Sequence, residues 1–166
     1  MVGLKDRSAE LTRRSMGDIF VVDNEQTQYF IDVKTHNLGT KFNMPNLTSV
    51  DRLSKYYARQ NTDNYFLILL VEYNLSNQGV EFTNIRLFPI ENLSWDCLHI
   101  QSLGWGQIQI KNANNTVIVQ NITREQWMSQ FYDRLNSYYA KVVKKAQERQ
   151  DIMKRRAEEW NDGKNQ

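Results

Sequence analysis

The sequence predicts an α/β domain with a mixed central β-sheet, flanking helices and a long C-terminal helix. Three observations carry this expectation. Residues 65–71, Tyr-Phe-Leu-Ile-Leu-Leu-Val, are almost wholly apolar, as in a central strand buried on both faces. Residues 17–22 and 29–34 are two runs rich in β-branched and aromatic side chains, separated by Asp23-Asn24-Glu25-Gln26-Thr27; they read as a hairpin. Thr123-Arg124-Glu125-Gln126 has the form of a capping box, with the Thr and Gln side chains reaching each other's backbone amides. Trp127, Phe131, Leu135, Tyr138 and Val142 then recur at helical spacing, which predicts a helix over 123–160 with an apolar stripe packed on the sheet.

Composition bounds the function. A chain of 166 residues, 40% hydrophobic and 24% charged, has the length for one domain, 1–166, with its own core. The net charge is +2, so a polyanion site must be local. One cysteine, Cys97, excludes an internal disulfide and a cysteine-rich zinc site, and two histidines leave too few imidazoles for zinc catalysis. With no apolar opening run or spanning segment, the expectation is a soluble, cytoplasmic protein with no membrane partner. Triplets such as Asn46-Leu47-Thr48 are then incidental to an Asn-rich composition.

In chain order, 4–16 reads as a short charged helix that could offer Glu10 to a metal, or leave it solvated. After the 17–34 hairpin, 35–48 is a polar loop in which Gly39 and Pro45 oppose regular structure. Its Thr35, Asn37, Lys41, Asn43, Asn46 and Thr48 have the amides, hydroxyls and charge that suit phosphates and base edges. Thr48 or Ser49 caps a helix to about Gln60, with Val50, Leu53 and Tyr57 inward. Arg52, Lys55 and Arg59 face outward, toward phosphate or solvent. A turn over 74–79 leads to a strand over 81–89 and one helical turn around Glu91-Asn92-Leu93. In 103–110, Gln107 and Gln109 share one strand face, and glutamine amides can read adenine in the major groove; the alternative is a half-buried strand with a polar outer face. A turn over 112–115 returns through 116–120. Beyond Lys144 the helix is heavily charged and either projects into solvent or pairs with another copy.

The hairpin carries the chemistry. Side chains alternate along a strand, so Phe30, Asp32 and Lys34 share one face. A five-residue loop sets Asp18 directly opposite Asp32, with side chains about 5 Å apart. Two carboxylates suit a hard divalent cation such as Mg²⁺, which activates water and polarises a phosphoryl group. A neighbouring lysine orients that water or stabilises developing negative charge. The competing reading is a solvated hairpin with a cross-strand ion pair.

The spacing of Asp18 and Asp32-Val33-Lys34 resembles the PD-(D/E)xK nuclease signature, with Gly17 at the proline position. Asp32-Val33-Lys34-Thr35 followed by Pro45-Asn46, then Gly106-Gln107-Ile108-Gln109 and Thr123-Arg124-Glu125-Gln126-Trp127, resembles the HincII-type restriction endonucleases of that superfamily. The resemblance implies a restriction-endonuclease-like core and Mg²⁺-dependent cleavage of double-stranded DNA, with Mn²⁺ able to substitute. It implies Asp18, Asp32 and Lys34 as the catalytic set, with Asp18, Asp32 and the Val33 backbone carbonyl on the metal. The segment around 43–46 and the Gln107 region match DNA-contacting and major-groove-reading segments. A homodimer on a palindromic site and a cognate DNA methyltransferase follow from the same likeness. That group carries a substantial portion before the first acid, against seventeen residues here, which leaves the dimer interface and recognition sequence open. The alternatives are a repair or mobile-element nuclease with little sequence preference, and a DNA-binding module whose acids are structural.

Overall fold

The computed structural model describes residues 16–40, 45–58, 63–112 and 116–163. The chain divides into two compact units, Met1–Met128 and Ser129–Gln166. In chain order the elements are β1 (Ile19–Val22), β2 (Gln28–Asn37), β3 (Asn46–Ser49), α1 (Val50–Tyr57), β4 (Asn64–Ser76), β5 (Gly79–Pro89), a 3₁₀ turn (Ile90–Asn92), β6 (Leu98–Gln101), β7 (Gln107–Ile110) and α2 (Arg124–Gly163).

The first unit holds two sheets. One is mixed, in the order β1-β2-β4-β5, and the other has the order β3-β7-β6. β1 and β2 are antiparallel, β2 and β4 parallel, and β4 and β5 antiparallel. Sequence alone anticipated one central sheet; the strands near 46–49 and 98–110 form a sheet of their own. The β1–β2 loop is organised by Asp23, whose Oδ1 accepts hydrogen bonds from the Glu25 and Thr27 amides at 2.9 Å. Its Oδ2 accepts one from the Tyr29 hydroxyl at 3.0 Å. Gln26 takes the left-handed φ of 68° that closes the turn.

β4 is central in order but asymmetric in burial. Phe66, Ile68 and Leu70 are buried, while Leu67, Leu69 and Val71, on the other face, are only half-buried. The expectation of burial on both faces therefore holds for one. The turn after β4 is also tighter than the 74–79 expected: β4 runs to Ser76 and β5 resumes at Gly79. Gly79 has φ +125°, a conformation a glycine adopts without strain.

α1 packs on the buried face. Ser49 caps it, its hydroxyl accepting from the Arg52 amide at 3.2 Å. Val50, Leu53 and Tyr56 are its buried residues, so the inner stripe passes through Tyr56 rather than the anticipated Tyr57. The Tyr56 ring meets Phe30 edge-on at 5.1 Å. The capping box at α2 forms as anticipated: the Gln126 amide donates to Thr123 Oγ1 at 3.2 Å, and the Thr123 amide to Gln126 Oε1 at 3.0 Å. It delivers Trp127 against Trp95, with ring centroids 4.8 Å apart, and Trp127 Nε1 donates to the Leu93 carbonyl at 2.8 Å.

In the second unit α2 continues without a break. Phe131 is buried and Leu135 and Tyr138 half-buried, but Val142 and every described residue after it are exposed. The stripe predicted to pack therefore fades before Val142, where the sequence turns to lysine and arginine. No helix among the described residues is long and apolar enough to cross a membrane.

Candidate active site

The β1–β2 hairpin aligns Ile19 with Ile31 and Val22 with Gln28. The paired stretch ends at Ile19–Ile31, and Asp18, just before it, lies against the Ile31–Val33 segment of β2 rather than within the ladder. The Asp18 amide donates to the Ile31 carbonyl at 2.8 Å. Its carboxylate Oδ2 accepts from the Val33 amide at 2.7 Å, which fixes the first acid against the strand that carries the second. Gly17 makes this approach possible, since a Cβ there would lie 2.8 Å from the Ile31 carbonyl oxygen.

Asp32 sits at the register position of Ile68 in the parallel β2–β4 pair, and it is only 6% exposed. Its Oδ1 accepts from Lys34 Nζ at 2.9 Å, whereas its buried Oδ2 has no hydrogen-bond partner among the described residues. Burial pushes the Asp32 carboxyl up to about 6; Lys34 pulls it down and the nearby Asp18 charge adds to the rise. Desolvation therefore outweighs the repulsion between the two acids. A buried carboxylate oxygen without a partner, close enough to a second carboxylate to feel its charge, is one that a hard cation or a proton would satisfy. On that ground Asp18 and Asp32, with the Val33 carbonyl beside them, fit a divalent ion. Among the described residues no group of three or more His, Cys, Asp or Glu side chains is placed to hold a metal ion, so the two acids would have to be completed by backbone oxygen, water or substrate. Glu10, a proposed additional ligand, lies outside the described residues, as do Lys41 and Asn43.

The candidate DNA contacts separate into accessible and inaccessible groups. Thr35, Asn46 and Arg52 are exposed, and Asn37 and Gln107 are half-buried. Asn37 is partly committed to its own turn, its Oδ1 accepting from the Gly39 amide at 3.0 Å. Thr48 on the edge strand β3 and Gln109 on the central strand β7 are buried at 3% and 6% exposure. Their side chains thus belong to the interior in this conformation, and Gln107 and Asn46 present the accessible amides. The two segments singled out separately are neighbours: Asn46 aligns with Gln109, Thr48 with Ile108, and Ser49 with Gln107.

Two polar clusters escaped the sequence reading. On the face of β2 that carries Asp32 and Lys34, His36 is 1% exposed, with Nδ1 3.7 Å from Glu72 Oε1. Glu72 also accepts from Asn84 Nδ2 at 3.0 Å and pairs with Arg86 Nη2 at 3.2 Å. The available signal was His36 two residues beyond Lys34, and a lone acid ending the apolar run of β4. The second cluster joins Glu91 to Arg124 Nε at 2.7 Å, with the guanidinium 4.5 Å from the Tyr57 ring and 4.6 Å from the Tyr65 ring. Tyr65, Glu91 and Arg124 border a cleft of about 330 Å³. Burial holds the Tyr57 hydroxyl well above its usual range, with the Glu91 charge adding to the rise.

A comparison of the chain with models of known protein families gives no match, and a comparison with curated proteins gives none either. The functional reading rests on the geometry.

Proposed function

We propose that this chain is a Mg²⁺-dependent endodeoxyribonuclease of double-stranded DNA with a restriction-endonuclease-like core, working as a type II enzyme beside a cognate methyltransferase. One observation carries the reading: Asp18 is held by the Val33 amide at 2.7 Å, beside an Asp32 whose Oδ1 lies 2.9 Å from Lys34 Nζ and whose buried Oδ2 has no hydrogen-bond partner among the described residues. Asp18, Asp32 and the Val33 carbonyl would hold the ion. When bound, Mg²⁺ supplies Lewis-acid polarisation of the scissile phosphate and neutralises its charge.

The protein's own groups do the rest. The Val33 amide holds Asp18 in place, so the first acid needs no reorganisation when substrate arrives. Lys34, one-fifth exposed, is a donor poised between the carboxylate and solvent. It orients the attacking water and stabilises negative charge on the phosphate as the bond to the leaving oxygen breaks. The β3–β7 ladder offers Asn46 and Gln107 to base edges, and Arg52 at the start of α1 offers charge to the backbone.

The test is supercoiled plasmid incubated with Mg²⁺ and, in parallel, with EDTA. Discrete fragments only with Mg²⁺ support a site-specific enzyme. A Mg²⁺-dependent smear indicates the same core with little sequence preference, and intact plasmid in both tubes refutes the nuclease reading.

A further inference from the structure

β5 is the edge of the mixed sheet, and its side chains are apolar where solvent should be met. Val80, Phe82, Ile85 and Leu87 are between 55% and 66% exposed. An eleven-residue edge strand with one apolar face is a template for pairing with another strand. Its register shows which strand fits. Leu87, Ile85, Phe82 and Val80 align with Leu69, Val71, Tyr73 and Leu75, while Arg86 and Glu81 align with Leu70 and Asn74. The four apolar side chains therefore share one face, and the two charged ones share the other.

They can do so only because of a bulge. Glu72 aligns with Asn84 but Tyr73 with Phe82, leaving Thr83 as the extra residue, tied down by its Oγ1 donating to the Glu72 carbonyl at 3.1 Å. In an unbroken strand the outward N–H and C=O groups recur every second residue. A strand pairing with its own copy about a two-fold axis then joins residues of even separation, and Glu81 could not face Arg86. The extra residue shifts the parity.

We propose that β5 pairs antiparallel with β5 of a second copy of this chain about a two-fold axis between Thr83 and Asn84. Phe82 then faces Ile85 of the other copy, Val80 faces Leu87, and Glu81 faces Arg86, each pair occurring twice by symmetry. The strand is self-complementary in both hydrophobicity and charge. Arg86 can meet a second carboxylate at its outer end, since its side chain stays one-third exposed while Nη2 pairs with Glu72 at 3.2 Å. This inference stands whether or not the chain cleaves DNA.

The test is the mass of the full chain in solution by sedimentation velocity and light scattering, for wild type, Glu81→Arg and Ile85→Lys. The expected result is a wild-type dimer and at least tenfold weaker association for each variant, with unchanged circular dichroism. A second measurement fixes the register and does not depend on the fold surviving a buried charge. Directly opposed residues have Cα atoms about 4.5–5.5 Å apart, within the roughly 4.4–6.8 Å that a disulfide spans. The Phe82→Cys/Ile85→Cys protein should therefore form a covalent dimer under mild oxidation, while Val80→Cys/Ile85→Cys should not. Cys97 is buried and does not compete. A monomeric wild type overturns the proposal. So does a dimer that survives Ile85→Lys without cross-linking at 82 and 85, which would move the interface to another surface such as the exposed Val143 and Trp160 of α2.

Discussion

Replacing Asp32 by Asn separates a cation site from a structural ion pair, because the two readings predict opposite signs. The Asp32 carboxyl is raised from its ordinary 3.8 to about 6. The folded state thus holds a proton that the unfolded state has already released, and stability falls as pH rises from about 4 through about 6. Above that window the lost stability is about 2 pKa units at 1.36 kcal/mol each, roughly 3 kcal/mol. That figure already contains the favourable pull of Lys34, which lowers the value. Asn mimics the protonated carboxyl at every pH, and Lys34 keeps contact with water at one-fifth exposure. In EDTA at pH 8, Asp32→Asn should therefore melt higher than wild type, by up to about 6–12 °C at roughly 2–4 °C per kcal/mol. At pH 4 the two should nearly coincide. Mg²⁺ should raise the wild-type melting temperature by mass action and leave the variant almost unmoved. Differential scanning calorimetry at both pH values, with and without Mg²⁺, is the assay. A lower melting temperature for the variant at pH 8, with no Mg²⁺ response in wild type, would refute both the burial argument and the metal site.

The other predictions are briefer. Asp18→Ala, Asp32→Ala and Lys34→Ala should each reduce plasmid cleavage by at least about 10²–10³-fold; wild-type rates for Lys34→Ala would remove the lysine from the mechanism. Asn46→Ala and Gln107→Ala should cost about 1–3 kcal/mol of discrimination between cognate and random duplexes. Arg52→Ala should weaken both duplexes alike and flatten the salt dependence; titrations in Ca²⁺ read the difference. Gly17→Ala should slow cleavage at least tenfold while leaving far-ultraviolet circular dichroism unchanged, because its Cβ would sit 2.8 Å from the Ile31 carbonyl oxygen and push Asp18 out of register. Trp127→Ala should cost about 3–5 kcal/mol, measured as a lower urea midpoint, since the side chain is fully buried against Trp95.

Local patterns were legible where the sequence itself sets the geometry. The count of residues between Val22 and Gln28 set the pairing from Ile19–Ile31 to Val22–Gln28, because an antiparallel register follows from loop length, and this brings Asp18 to the segment that carries Asp32. The Thr123–Gln126 box was equally readable, since both partners lie within one turn. Non-local pairing was not. Gln107-Ile108-Gln109-Ile110 alternates like a half-exposed strand, yet Gln109 is buried, on a strand that β3 and β6 flank from distant parts of the chain. The apolar run of β4 suggested cover on both faces, but no local pattern reveals that one face is left half-open. Glu91 and Arg124 are 33 residues apart, and nothing in either neighbourhood signals the partner. The raised Asp32 carboxyl comes mainly from burial, which the spacing of the two acids does not reveal because it depends on the β2–β4 pairing.

The tryptophans give this protein a built-in optical readout. Trp95 and Trp127 are buried at 2% and 0% exposure, while Trp105 and Trp160 are 70% and 66% exposed. Shielded indoles emit further to the blue than hydrated ones, so the two populations are spectrally distinct without any label. Trp105 lies two residues before Gln107, so a duplex seated on the β3–β7 ladder should alter the red-edge emission and its quenching by iodide while the blue component stays constant. Unfolding of the first unit should instead collapse the blue component. Docking and melting can thus be followed in one cuvette, on the unmodified chain, through different halves of the same spectrum.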